Sequence, residues 1–298
     1  MSKIVEQDPV DNYFTKNQTL DFLYPKARKG KWGRQSMWPV VTDENSTFQW
    51  FGGYDTFSLN AQNAAVTATV PMKNAGCSLV TSWEDLVETA ADDVKIFDRL
   101  KFIRENGLRT TRKKLNAAFF TATPGAKEPE SLPNLIDSTG TAHGLSASTY
   151  SGWASTETAS GSFASQGLDD MRSTFRSIMD KGGDPKVLVT TSAIYGYYES
   201  YSDIDVTYDT VGGALNRGWK SAMFNGVPLI FDGDCTSGVI YFIDTDTLFL
   251  AIDSDGDFKV TDFRQPTDSE SQAARLIARL ALVMTKRNGQ GKMTGVTA

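Results

Sequence analysis

The chain is poor in the residues that most protein chemistry needs: in 298 residues it has a single histidine, His143, and two cysteines, Cys77 and Cys235, far apart. A structural zinc site takes about four His or Cys ligands, so none can be assembled. Sparse thiols without a CxxC spacing suit a reducing compartment. There is no GxSxG, no P-loop and no GxGxxG before a helix. A Ser-His-Asp triad would have to use His143, in a Gly/Thr loop whose neighbouring carboxylate is Asp137. Such a histidine is expected to be a solvent-exposed loop residue. Asp253, Asp255 and Asp257 resemble the start of a calcium loop, but the glycine is misplaced and Arg264 replaces the closing glutamate, so a hairpin turn is the better reading. The aspartates are too numerous for any pair to point to a glycosidase. No apolar run approaches the roughly 18 residues of a membrane span, and the N-terminus lacks a signal-type apolar segment. The expectation is a non-enzymatic chain without cofactor, metal or membrane partner, made in the cytoplasm.

What is present is segregated charge. Net charge is −6. Residues 95–114 nevertheless carry eight bases against Asp98 and Glu105, and residues 26–34 read KARKGKWGR. Residues 199–270 carry fourteen acids and four bases. Such asymmetry means that different faces meet different partners.

The longest regular signal is residues 82–122, which predict a helix. Ser82 stands at the N-cap position with Asp85 three residues on. Leu86, Ala90, Val94, Phe97, Leu100 and Ile103 form one stripe, resumed by Leu115, Ala118 and Phe119. Gly107 predicts a bend or break. Residues 1–44 show isolated aromatics without a period and predict an extended arm lying across other structure. Residues 45–80, with Phe48, Trp50 and Phe51 ahead of Gly52-Gly53 and then VTATV, predict a projecting hairpin. Residues 123–165 read as loop with room for one short strand. A second helix over 167–181 ends at Gly182-Gly183, KVLVTTS is a strand, and the four apolar segments from Val227 to Val260 predict an antiparallel meander. In the tail, composition favours helix, but Ala274, Leu276, Ala278, Leu280, Leu282 and Met284 alternate, with Arg275 and Arg279 opposite.

The order and spacing of GGYDTFSL, NLIDSTGTAHGLSASTYSGW, GLDDMRSTFRSIMDKGGDPKVLVTTSAIYGYYESY, FNGVPLIFDGDCTSGVIYFIDTDTLFL, DFKVTDFRQP and TKRNGQGKMTGVT resemble those of tailed-bacteriophage major capsid proteins. The resemblance runs from about Phe48 to the end. It implies an α+β chain with the Hong Kong 97-like capsid fold: N-terminal arm (1–44), extended β-hairpin loop (45–80), peripheral domain with a long spine helix (81–130), axial α/β domain (131–262) and a peripheral return strand (263–298). The return strand in that family decides the tail in favour of strand.

The same resemblance implies the function: a shell subunit that self-assembles as hexamers and pentamers around a double-stranded DNA genome, in the virion, after assembly in the bacterial host cytoplasm. Implied partners are other copies, a portal, a separate scaffolding protein (residues 1–44 being short for a scaffolding segment), decoration proteins, and DNA by proximity only. No lysine lies in the tip region, so autocatalytic cross-linking is not expected. A glycan-binding virion or cell-surface decoration protein is the alternative. Phe48, Trp50, Tyr54 and Phe57 are the candidate interface residues of the extended loop, because an isolated hairpin has no core for them. Arg104, Arg109, Arg112, Lys113 and Lys114 are the candidate charged face of the spine helix, toward genome, scaffold or acidic neighbours, with the neighbours favoured.

Overall fold

A computed structural model describes residues 17–57, 59–60, 65–82, 84, 99–201, 222–265 and 270–298. The alternation in the tail becomes a fourteen-residue strand, β14 (Ser271–Met284). Ala274, Leu276, Ala278 and Leu280 are buried while Arg275 and Ile277 face outward, as a period of two requires. From Leu280 onward every residue is buried, because both sheet faces are covered there. One edge of β14 pairs antiparallel with β4 (Lys73–Ser82), from Ser271↔Ser82 to Leu280↔Lys73. The other edge takes β12 (Leu248–Asp253) and then β13 (Lys259–Val260). The short β1 (Arg28–Gly30) runs parallel to β12 and closes this sheet.

Much of the N-terminal half of the predicted long helix, residues 83 and 85–98, lies outside the described residues. The described part, α2, is Arg99–Phe119. Ser82, placed at the N-cap position by the sequence, is the last residue of β4, paired with Ser271. Asp85 and the apolar positions Leu86, Ala90, Val94 and Phe97 lie outside the described residues. Leu115 and Phe119 are buried as the stripe requires. Gly107 does not break the helix. It is where α2 touches β4, close enough that a Cβ there would collide with Leu79 Cδ2 and stand 3.2 Å from Cys77 Sγ. Helix propensity is local; here the close approach of two elements decides the residue.

The predicted meander is also corrected. Its strands are shared between two sheets, and the second has six strands. Its order is β7 (Thr156–Ala159), β15 (Gly291–Thr294), β11 (Ile240–Ile243), β8 (Val187–Thr190), β10 (Val227–Phe231) and β9 (Ala222–Phe224). β10 joins β8 in parallel, and β11 joins it antiparallel. Strands buried on both faces have no alternation to reveal their neighbours, and β8, β11 and β12 are buried throughout. One hairpin is local: β9 turns into β10 through Asn225 and Gly226, both at positive φ. The aspartate turn at 253–258 is not a hairpin either. Ile252 pairs with Leu280 and Lys259 with Ile277, so the turn is surplus chain bulged from a strand that resumes along the same partner.

Two further helices, α4 (Leu168–Asp180) and α5 (Ser192–Tyr201), pack on the six-stranded sheet through Met171, Phe175, Ile178, Ile194 and Tyr198. Gly182 at φ 73 and Gly183 close α4 by donating to the carbonyls of Met179 and Ile178. Before them, residues 123–165 hold more order than a loop: the single turn α3 (Leu132–Leu135) and a two-residue ladder of β5 (Thr141–Ala142) and β6 (Leu145–Ser146), besides β7.

Of the expected extended arm, residues 1–16 lie outside the described residues, and the described part is only partly extended. Residues 18–23 form the short helix α1 (Gln18–Leu23), whose Leu20, Phe22 and Leu23 enter the main core of the same subunit. Residues 35–41 form β2 (Gln35–Val41), which pairs antiparallel with β3 (Ala65–Pro71). The hairpin therefore begins inside the stretch assigned to the arm, and the aromatic segment 48–57 is its tip, not its first strand.

Candidate functional site

The hairpin tip spans residues 42–64, which carry Asp43, Glu44 and Asp55 and no lysine or arginine. Its four predicted interface residues are all exposed: Trp50 at 90%, with Phe48, Tyr54 and Phe57 also open to solvent. The ring contacts of Phe48, Trp50 and Phe57 among the described residues are with other tip residues. Phe48 meets Trp50 at a centroid distance of 5.6 Å, and Phe51 meets Phe57 at 4.9 Å. The Asp55 carboxylate accepts from the Gly52 amide at 2.6 Å, and Gln49 Nε2 donates to the Thr56 carbonyl at 2.9 Å. The tip is thus a folded loop that displays aromatic surface without burying it.

The hairpin base is held firmly. Trp38, Val40, Val66 and Ala68 pack on Leu145, Tyr150 and Trp153. Beside them His143 is 1% exposed, contrary to the solvent-exposed residue predicted. Its Nε2 accepts from the Met284 amide at 3.0 Å, so the ring proton sits on Nδ1, 2.9 Å from a Glu130 carboxylate oxygen. Glu130, not Asp137, is its acidic neighbour. The ring meets Trp38 edge-on at 5.2 Å, and its carbonyl accepts from the Thr69 amide. His143 therefore joins β2, β3 and β14, with φ at 52°.

The five predicted helix cations do not form one surface. Arg104, Arg109 and Lys114 are exposed. Arg112 and Lys113 are half-buried. Arg112 faces its own subunit, 5.4 Å from the Tyr24 ring and 5.6 Å from that of Phe258. Tyr24 in turn donates to Asp257, which pairs with Lys29 at 2.6 Å. The helix cations and the basic cluster at 26–34 are in part spent on the subunit's own fold.

Two buried polar centres escaped sequence reasoning. Asn116, fully buried on α2, donates to Asp232 and Asp234 at 2.9 Å each and accepts from the Leu20 amide at 3.2 Å. Asp232 also accepts from the Thr19 amide at 2.9 Å, so a residue beyond β10 caps the first turn of α1. Arg287 is fully buried, with Asp137 and Glu130 near enough to act on its charge. It donates to the carbonyls of Leu135 at 2.9 Å, Gly140 at 2.7 Å and Asn134 at 3.4 Å, and burial lowers its affinity for the proton. Buried polar residues have no periodic signal, and their partners are more than ninety residues away. Among the described residues no group of three His, Cys, Asp or Glu side chains is placed to hold a metal.

The fold as a whole is similar to that of solved structures. The capsid asymmetric unit of cyanophage A-1(L) superposes with a TM-score of 0.75 at 15% identity, covering 98% of this chain and 96% of that one. This chain has the phage capsid fold. The capsid of the native GTA particle gives a TM-score of 0.69 at 15% identity over 100% and 96% of the two chains. That of Myoviridae phage XM1 gives 0.60 at 11% over 98% and 96%. No protein-family model and no curated protein sequence matches the chain.

Proposed function

We propose that this chain is the major capsid protein of a tailed double-stranded DNA bacteriophage, assembling as hexamers and pentamers into an icosahedral shell. The observation that carries the reading is the hairpin: a base locked into the body through Trp38 and His143, and a tip that leaves Phe48, Trp50, Tyr54 and Phe57 in solvent. A soluble monomer gains nothing from such a tip, whereas a neighbour in a shell buries it. Contacts between unlike patches close into rings, which suits a chain of segregated charge. The solved chains that it resembles come from capsids. Other copies of itself are the principal partners; a separate scaffolding protein, a portal and decoration proteins follow from the reading. Assembly takes place in the host cytoplasm, and the location is the virion. The outward helix cations Arg104, Arg109 and Lys114 are assigned to neighbouring subunits in preference to the genome, since tight DNA binding would impede packaging. The shell itself requires no catalytic centre.

Electron microscopy of the purified chain tests the reading: rings, sheets or shells are expected. Deletion of residues 53–64 should leave a folded monomer that no longer assembles. A full-length chain that stays monomeric at high concentration under all assembly conditions overturns it.

A further inference from the structure

The chain holds one histidine, and it is buried at the root of the hairpin. His143 and Gly144 join β5 to β6 as a two-residue turn, with φ at 52° and 81°. The His143 side chain has no solvent exposure. Three strands meet on this residue. The Met284 amide, at the end of β14, donates to Nε2 at 3.0 Å. The Thr69 amide of β3 donates to the His143 carbonyl at 3.0 Å, and Trp38 of β2 stands edge-on to the ring at 5.2 Å.

The two ring nitrogens make opposite demands. Nε2 accepts a hydrogen bond, so it carries no proton while the Met284 contact stands. Nδ1 lies 2.9 Å from Glu130 Oε2, yet both atoms are buried and neither makes an aligned hydrogen bond. A second proton reverses the balance. An imidazolium is a donor at both nitrogens, so its Nε2–H would face the Met284 N–H donor to donor. On the other side the ring would gain the full attraction of the Glu130 carboxylate. The further charges bearing on the site are Arg287, which acts on Glu130 from the segment after β14, and Asp137, which acts on Arg287. From β2, β3 and β14 the groups in contact are Trp38, Thr69 and Met284, none of them ionisable.

We propose that His143 is an acid-operated latch on the hairpin: singly protonated it ties the root to β14, and on taking a second proton it leaves Met284 for Glu130. The inference concerns the single chain and goes beyond the capsid reading, which it does not need. Linkage fixes the sense of the switch. Only the released ring can hold two protons, so the released state gains up to about tenfold in population per pH unit as the ring titrates. Between about pH 5 and 8, histidine is the side chain whose ordinary charge change falls in range. What is released is one tie of several. Trp38, Val40, Val66 and Ala68 stay packed on Leu145, Tyr150 and Trp153. The hairpin therefore loosens at its root without unfolding, and the direction in which its tip points becomes adjustable.

With one histidine in the sequence, histidine-specific isotope labelling gives a single imidazole to follow in the full-length chain. Its nitrogen chemical shifts are expected to show the Nδ1–H tautomer at neutral pH and a second proton on acidification. Across the same titration, hydrogen exchange at the Met284 amide is expected to rise by up to about tenfold per pH unit relative to its intrinsic rate. Amides within β8 and β11 should keep their protection. Two variants separate the alternatives. H143F keeps an apolar ring in the turn and is expected to show raised exchange at Met284 at every pH, with no acid step. E130Q keeps the Met284 contact but removes the attraction for the imidazolium, so its step is expected at lower pH. The latch is overturned if His143 takes its second proton with Met284 protection unchanged, or stays singly protonated until the whole chain unfolds. A step that survives in H143F, or that does not move in E130Q, overturns it as well.

Discussion

Gly107 lies on Leu79. The helix and the strand meet there so closely that the missing Cβ of the glycine is what makes room for the leucine side chain, itself almost fully buried, with Cys77 Sγ beside it. Gly107→Ala gains about 1 kcal/mol in helix propensity, but overpacking a filled contact costs about 1–3 kcal/mol. The expected outcome is a net loss of stability, read as a lower denaturation midpoint. A rise would mean that Leu79 can move aside.

Asn116→Ala removes the amide that holds Asp232 and Asp234 and the acceptor of the Leu20 amide. A buried carboxylate left short of donors makes the expected cost about 2–4 kcal/mol. Because α1 is tied to the body through the same residues, limited proteolysis is expected to cut near residues 17–24 faster in the variant. An unchanged digestion pattern would show that Leu20 and Leu23 hold α1 unaided.

Arg287→Met exchanges a guanidinium that serves three carbonyls for an apolar chain of similar length. The carbonyls of residues 134, 135 and 140 lose their donor, and a drop on the order of 3 kcal/mol is expected. Arg287→Lys should rescue little, since an ammonium cannot present the planar fork to three separated oxygens. Chemical denaturation of both variants checks this.

Asp137 supplies an acid dependence. Burial pushes its carboxyl up, but the amide hydrogen bonds of Thr139 and Gly140, the charge of Lys292 and the Thr139 hydroxyl outweigh that and hold it below the ordinary carboxylate range. A folded-state value below the unfolded one, about 3.9, contributes stability that is complete above that value and is lost as pH falls through the folded one. Asp137→Asn should therefore be less stable than the parent near neutrality, with the gap closing below about pH 4. Melting temperatures of the two proteins across that range give the answer. A gap that stays constant would remove Asp137 from the acid response.

Arg104 and Lys114 are the cations of α2 to reverse. Reversing the exposed pair to Glu is expected to change monomer stability by no more than about 0.5 kcal/mol while impairing assembly in DNA-free solution. Arg112→Glu, by contrast, should destabilise the monomer, because its guanidinium lies over Tyr24 and Phe258. Normal empty shells from the Arg104/Lys114 variant that fail only on filling would move the contact from subunit to genome.

The sequence was readable where one physical rule governs a stretch. α4 shows because its apolar face is followed by Gly182-Gly183, whereas β14, where composition favours helix, is decided by the family resemblance, with which the period of two from Ala274 to Leu280 agrees. Reading failed where the deciding partner is distant. Trp38 and Pro39 gave no hint of β2 because its pairing depends on β3, beyond the tip. Gly107 read as a weak point because the strand that needs it is twenty-five or more residues upstream. His143 read as exposed because Met284, which donates to it, is 141 residues away. Exposure of the tip aromatics follows directly from their placement on a hairpin without a core.

The β4–β14 ladder also has a mechanical consequence. Its ten paired positions run continuously from Ser271↔Ser82 to Leu280↔Lys73, with the two strands antiparallel. A load that slides one strand lengthwise past the other strains all the rungs at once, so the ladder is stiff in shear. The β2–β3 hairpin is anchored at its base, and a pull on its tip opens it one rung at a time. Under tension from neighbours, the hairpin is where the subunit yields and the ladder is where it bears.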